Sequence, residues 1–189
     1  MSQTAAYIKR LSVLQEGDLS RLRRLAGRPL DATLQGFDLF TGLWWPLRTK
    51  SPATPRREPS WLVAKLFGAF RVPHIRPDLG TGPSLPQVLG ICEPLDEDGC
   101  TRFRTRFDAL LCSSLSSLEP ILRWAMGEVA RAVAGHVPHA RDVKGIDWVQ
   151  LLDDLSVWER GDAHRRGRDV RDIWAETYLT ATDSKERRA

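Results

Sequence analysis

The sequence predicts an all-α protein of about eight or nine helices in two packed lobes. Three observations carry that expectation. Apolar residues recur at spacings of three and four nearly throughout. No segment alternates Val, Ile and Thr as a half-buried strand would. Hydrophobic residues make up 42% and charged residues 28%, so a core can be buried, and neither an internal repeat nor a heptad run appears.

The elements follow in order. Tyr7, Ile8, Leu11 and Leu14 mark a first helix, which Gly17 is expected to end, with Asp18 capping the next. In the second, Leu19, Leu22 and Leu25 share a face, while Arg21, Arg24 and Arg28 line another with Arg23 at its edge. Leu34, Phe37, Phe40, Leu43, Trp44 and Leu47 predict a third helix over 31–47. Residues 48–59 are a Pro-rich basic connection, and a helix from about 60 to 71 should bury Trp61, Leu62, Leu66, Phe67 and Phe70. Residues 72–100 are rich in Pro, Gly and acids and predict a long loop with one short helix near 84–90. The single chain, 1–189, would then divide into lobes at about 4–90 and 100–181.

Phe103, Phe107, Leu110 and Leu111 mark the next helix, with Arg102, Arg104 and Arg106 at its start. Ser116 and Glu119 suggest a capping box opening a long helix to about 134, with Gly135 beyond its end. Asp147 is placed to cap a helix bearing Val149, Leu151, Leu152, Leu155 and Trp158. A last helix carries Val170, Ile173, Trp174 and Thr177. Seven Trp is many for this length, and Trp anchors interfaces as well as cores, so room remains for some to face a partner.

No constellation predicts catalysis. Asp153 and Asp154 flank a Leu face and read as a solvated helix surface. Pro138 spoils any helical pairing of His136 with His139, which read as a surface loop. Gly80-Gly82-Pro83 lacks the Lys of a phosphate loop. Cys92, Cys100 and Cys112 are odd in number and have no CxxC spacing, which argues against disulfides and a zinc site. A reducing cytoplasm fits, no leader pattern opens the chain, and Lys65 and Arg71 break the longest apolar stretch. The expectation is a protein without enzymatic activity, cofactor, metal or membrane contact.

Charge is more informative. Net charge is +4, and arginine outnumbers lysine by 23 to 5. GC-rich codons would favour arginine too, but placement matters more. Residues 1–28 carry +4 and 48–76 carry +6, whereas 77–101 carry −5. Such blocks favour an anionic partner, and arginine's planar fork matches phosphate oxygens. Candidate nucleic-acid contacts are Arg21, Arg23, Arg24 and Arg28, then Arg56 and Arg57 with Arg48 and Lys50 nearby, then Arg102, Arg104, Arg106 and Arg123. Only Glu16 and Asp18 lie near the first group, and a helix start disfavours the arginines of the third. Arg160, Arg165, Arg166, Arg168 and Arg171 alternate with Asp162, Asp169 and Asp172 and could neutralise themselves. No helix-turn-helix, zinc finger or Gly-aromatic RNA motif is present, so phosphate contact is expected rather than base reading.

Order and spacing along the chain carry a resemblance. Ile146-Asp147-Trp148, Gln150-Leu151-Leu152, Asp154-Leu155, Trp158, Val170-Arg171, Trp174-Ala175 and Tyr178 resemble the closing region of the CasB family. That family is the small subunit of Cascade, the type I-E CRISPR surveillance complex. Gly17-Asp18 with Leu22-Arg23-Arg24, and Arg106-Phe107 with Leu110-Leu111, Leu118 and Leu122-Arg123, support it, while 29–100 matches loosely. The resemblance implies a helical subunit, two copies side by side among the other Cascade subunits. It would hold the guide RNA–target DNA heteroduplex and the displaced DNA strand, leaving sequence reading to base pairing. It points to Arg23 or Arg24, Arg106 and Arg123 as contacts and to Trp148, Trp158 and Trp174 as core. The Arg165–Arg168 run departs from the family pattern. The alternative is a free-standing helical DNA-binding regulator, which would need a base-reading helix and a dimer seam. A helical metal-dependent hydrolase would need a His/Asp/Glu cluster that the sequence lacks.

Overall fold

A computed structural model of the chain describes residues 2–30, 34–76, 80–159 and 168–186. Among these, nine α-helices form the structure, with 3₁₀ turns at Leu115–Ser117 and Pro138–Ala140, and an isolated β-bridge joins His74 to Ile146. The all-α expectation holds. The chain forms two compact units, Met1–Arg71 and Val72–Ala189. Residues 72–100 therefore belong to the second unit rather than stringing two lobes together.

The first unit holds α1 (Gln3–Ser12), α2 (Glu16–Arg24), α3 (Leu34–Arg48) and α4 (Arg57–Phe70). Its core is Tyr7, Ile8, Leu11, Leu22, Phe40, Leu43, Leu47, Trp61 and Leu66, all buried. The α2 helix begins one turn earlier than expected. Gln15 precedes it, Gly17 sits inside its first turn, and Asp18 supplies first-turn charge rather than a cap. α2 crosses α4 closely at Gly68, where a Cβ would lie 2.7 Å from Leu22 Cβ and 2.9 Å from Leu19 O. Pro46 lies within α3 and has no N–H for the Gly42 carbonyl one turn back; the Arg10 guanidinium donates to that carbonyl at 3.5 Å. Lys65 interrupts an apolar run yet is buried, its ammonium donating to Arg28 O at 3.0 Å.

The second unit holds α5 (Leu85–Cys92), α6 (Glu97–Cys112), α7 (Leu118–Val133), α8 (Trp148–Ser156) and α9 (Val170–Glu186). Ser84 caps α5, accepting from Gln87 N. α5 lies tightly on α9, and a Cβ at Gly90 would meet Tyr178 O at 2.5 Å. Asp147, fully buried, caps α8 by accepting from Val149 N and Gln150 N, and it also accepts from Gly82 N across 65 residues. Gly135 follows α7 at φ +79°, the left-handed close expected there. α7 does not start at the proposed Ser116–Glu119 capping box: its N-cap is Ser117, which makes no side-chain cap, after a 3₁₀ turn over Leu115–Ser117. Trp148, Trp158 and Trp174 are core, as expected, and Trp158 meets Trp174 edge-on at 5.0 Å. Asp154 is a correction: it is buried, not solvated, and accepts from Trp174 Nε1 at 2.8 Å.

Candidate nucleic-acid interface

In the first unit, α2 presents its arginines to solvent because only Leu22 of that helix is fully buried. Arg21 is held by Asp18 at 3.4 Å, one turn away. Glu16, the other local acid, is engaged by Arg71. The Arg71 hydrogen bond is the main reason the Glu16 carboxyl sits below the usual carboxylate range. Arg71 itself adopts a left-handed conformation after α4, at φ +53°. Arg23, Arg24 and Arg28 are exposed and make no ion pair among the described residues, although Arg24 Nε reaches Ser20 O at 3.4 Å. Both nearby acids are thus paired with other arginines, and Arg23 feels Glu16 only as a more distant charge. Arg48 donates to Pro52 O at 3.0 Å, bracing the Pro-rich connection. Arg56 and Arg57 are half-buried where α4 starts.

In the second unit the helix bearing Arg102, Arg104 and Arg106 starts earlier than the sequence reading placed it. Asp96 caps α6 and Glu97 and Asp98 fill its first turn, so the three arginines lie mid-helix. The dipole argument for them therefore falls away: acids occupy the end that prefers acids. Two residues along a helix is about 200° of rotation and four is about 400°, so Arg104 turns away from Arg102 and Arg106. Arg104 is bound to Glu93, Nε to Oε2 at 3.1 Å and a terminal nitrogen to Oε1 at 3.0 Å. That two-pronged pair is structural, so Arg104 is withdrawn as a free phosphate contact. Arg102 and Arg106 remain exposed, and Arg106 lies over the Trp124 ring at 5.7 Å. Arg123, next to that tryptophan on α7, is half-buried.

Glu93 anchors this region. Its buried carboxylate also accepts from the Tyr178 hydroxyl and from Cys100 Sγ at 3.2 Å, and Lys185 Nζ donates to its backbone carbonyl at 2.8 Å. Burial alone would raise the Glu93 carboxyl. The hydrogen bonds from Arg104, Tyr178 and Cys100 outweigh it and hold the group below the ordinary 4.5.

Of the last basic run, Arg160, Arg165 and Arg166 and their Asp162 lie outside the described residues. Arg168 pairs with Glu176 at 2.8 Å, and Arg171 lies over Trp158 at 5.3 Å. His136 is exposed and His139 half-buried beside a 3₁₀ turn. Among the described residues, no three His, Cys, Asp or Glu are grouped to hold a metal, and no helix is long and apolar enough to cross a membrane.

The sequence reading missed an aromatic surface on the first unit. Leu34 and Phe37, read as markers of the third helix, and Trp45, one of the seven tryptophans, are 83%, 40% and 56% exposed. The signal was the pair Trp44-Trp45: neighbours on a helix point about 100° apart and cannot both face one core.

The profile of the family described as CRISPR-associated protein Cse2 matches residues 18–179, from α2 through most of α9. The chain belongs to the Cse2 family. The solved structures agree on the fold. CasB from M. ruber is similar over 100% of this chain and 99% of its own, with a TM-score of 0.70 at 21% identity. A CRISPR-associated protein of the Cse2 family from Thermus thermophilus has a TM-score of 0.65 at 24% identity, over 95% of this chain and 99% of its own. A structure of CasB from Thermus thermophilus gives 0.64 at 23% over the same shares. A search of curated proteins finds no match. The CasB resemblance read from the sequence is therefore a true membership. All ten candidate arginines fall inside the stretch that matches the Cse2 family.

Proposed function

We propose that this Cse2-family protein is the non-catalytic small subunit of a type I-E CRISPR surveillance complex. In that role it grips the guide RNA–target DNA heteroduplex and the displaced strand by their phosphates, beside other Cascade subunits and a second copy of itself. The observation that carries the reading is how the arginines are sorted. Acids hold Arg21, Arg71 and Arg104, while Arg23, Arg24, Arg28, Arg102 and Arg106 are exposed with no ion pair among the described residues. Unneutralised guanidinium groups repel one another, and phosphate relieves that while using the fork geometry. Family membership supplies the CRISPR setting, and the absence of a base-reading motif in the sequence suits a protein that leaves sequence to base pairing.

The test replaces Arg23, Arg24, Arg102 and Arg106 by Ala in the assembled complex. Arg123 is left intact because it is half-buried, and its loss would mix stability with binding. Retention on matched DNA should fall, and the slope of log affinity against log salt should flatten by roughly one unit for each phosphate no longer neutralised. Lys at the same positions should restore only part of it. A quadruple variant that melts, assembles and holds DNA as the parent does would refute the assignment.

A further inference from the structure

Phe37, Phe40, Thr41, Trp44 and Trp45 of α3, with Arg57 at the start of α4, line a cavity of about 250 Å³. Its walls are held in place. Trp44 Nε1 donates to Pro55 O at 2.9 Å, and Phe40 stacks on Trp44 with centroids 5.9 Å apart and planes 17° apart. Phe40 in turn meets Trp61 edge-on at 5.7 Å, tying the cavity to the core. Trp45 is tilted 50° from Trp44 and is 56% exposed, so it forms an outer wall with a ring face available.

We propose that this aromatic cavity is a stacking site for one unpaired base of single-stranded DNA. The inference rests on the phosphate-gripping reading above and assigns it a further contact. Three features select this occupant. The cavity has room for one flat ring system, whereas a docked protein segment needs on the order of 800 Å² of surface on each side. Its rim carries positive charge: Arg57 lines the cavity, at the end of a connection that also bears Arg48, Lys50 and Arg56. A base offers a π-face to Trp45 while its phosphate meets that charge, the combination used by single-strand binders. In the proposed assembly the displaced DNA strand offers unpaired bases.

The experiment titrates the isolated full chain with a 20-mer of thymidine and with an abasic 20-mer of equal charge, at two salt concentrations. The parent should prefer the thymidine strand. Trp45→Leu should lose about five- to tenfold of that affinity, the lower range for one stacked base, without changing the salt slope. Trp45→Phe, which keeps a ring, should retain most of it. If the parent binds with steep salt dependence but Trp45→Leu binds thymidine as well as the parent, the stacking site is wrong and the phosphate reading stands. A Trp45→Leu defect confined to assembly with other subunits would likewise replace the base with a protein partner. A parent that binds neither oligomer at low salt would overturn both readings.

Discussion

Arg104 and Arg102 are two residues apart on one helix, yet Arg104→Ala and Arg102→Ala should behave differently. Arg104 makes a two-pronged pair with the buried Glu93 carboxylate. Removing one partner of a fully buried pair costs about 3–5 kcal/mol. Arg104 is 46% exposed, so water already screens part of that interaction, and Glu93 would keep its Tyr178 and Cys100 partners. A loss of about 2 kcal/mol remains, in line with charged hydrogen bonds generally. In a chain of this size that lowers Tm by roughly 6 °C. Arg102 touches no acid among the described residues, and its loss should stay within about 0.5 kcal/mol. The pH dependence carries a sign. Glu93 is held below 4.5 in the folded state, so its pairing stabilises the protein above that pH. As pH falls through the folded value the carboxylate takes up a proton, and parent and Arg104→Ala should converge. Thermal melting at neutral pH and again in acid checks both points. Equal melting at neutral pH, or a difference that persists undiminished in acid, would refute the account of Glu93 as the anchor of this region.

Two further outcomes follow from buried groups. Asp154→Ala should lower the urea midpoint by the equivalent of about 2 kcal/mol, because it strands the buried Trp174 indole N–H; Asp153→Ala, on the exposed side of the same helix, should change it little. Thiol labelling followed by mass spectrometry should modify exposed Cys112 quickly in the folded protein, while Cys92, buried and with its thiol pushed up to about 12 by burial, should react only on unfolding. Equal labelling rates would mean that the α5–α7 core opens readily.

Helix existence was legible where local chemistry and burial agreed. Ser84, Asp147 and Gly135 sit at helix ends whose backbone needs they meet, and a short window of sequence suffices to find them. Helix starts were misread where residues allow two conformations. Gly17 reads as a stop, yet in a first turn its N–H has no intrahelical partner to lose and it is tolerated. Asp96-Glu97-Asp98-Gly99 reads as loop by composition, although acids at that end are what a helix dipole favours. Asp154 was misread because periodicity marks a polar residue as outward, whereas a Trp indole arriving from 20 residues away helps to make its burial tolerable.

The arginines show why the candidate site was harder to read than the fold. Arg102, Arg104 and Arg106 are chemically identical and evenly spaced, so nothing local separates them. Helix rotation supplies half of the answer: Arg102 and Arg106 lie about 40° apart, and Arg104 lies about 160° from each. The other half is Glu93, eleven residues before Arg104 and at the end of a different helix. A buried carboxylate cannot remain charged without a donor, so whichever arginine the fold carries past it is recruited. On α2 as well the arginine partner comes from far along the chain: exposed Glu16 pairs with Arg71, 55 residues on, with Ser20 donating to it at 3.5 Å. What remains for a phosphate is the set of arginines that tertiary structure has not already paired. That set is fixed by which acids the fold brings within reach of each guanidinium, and single-sequence spacing records only the acids within a turn or two.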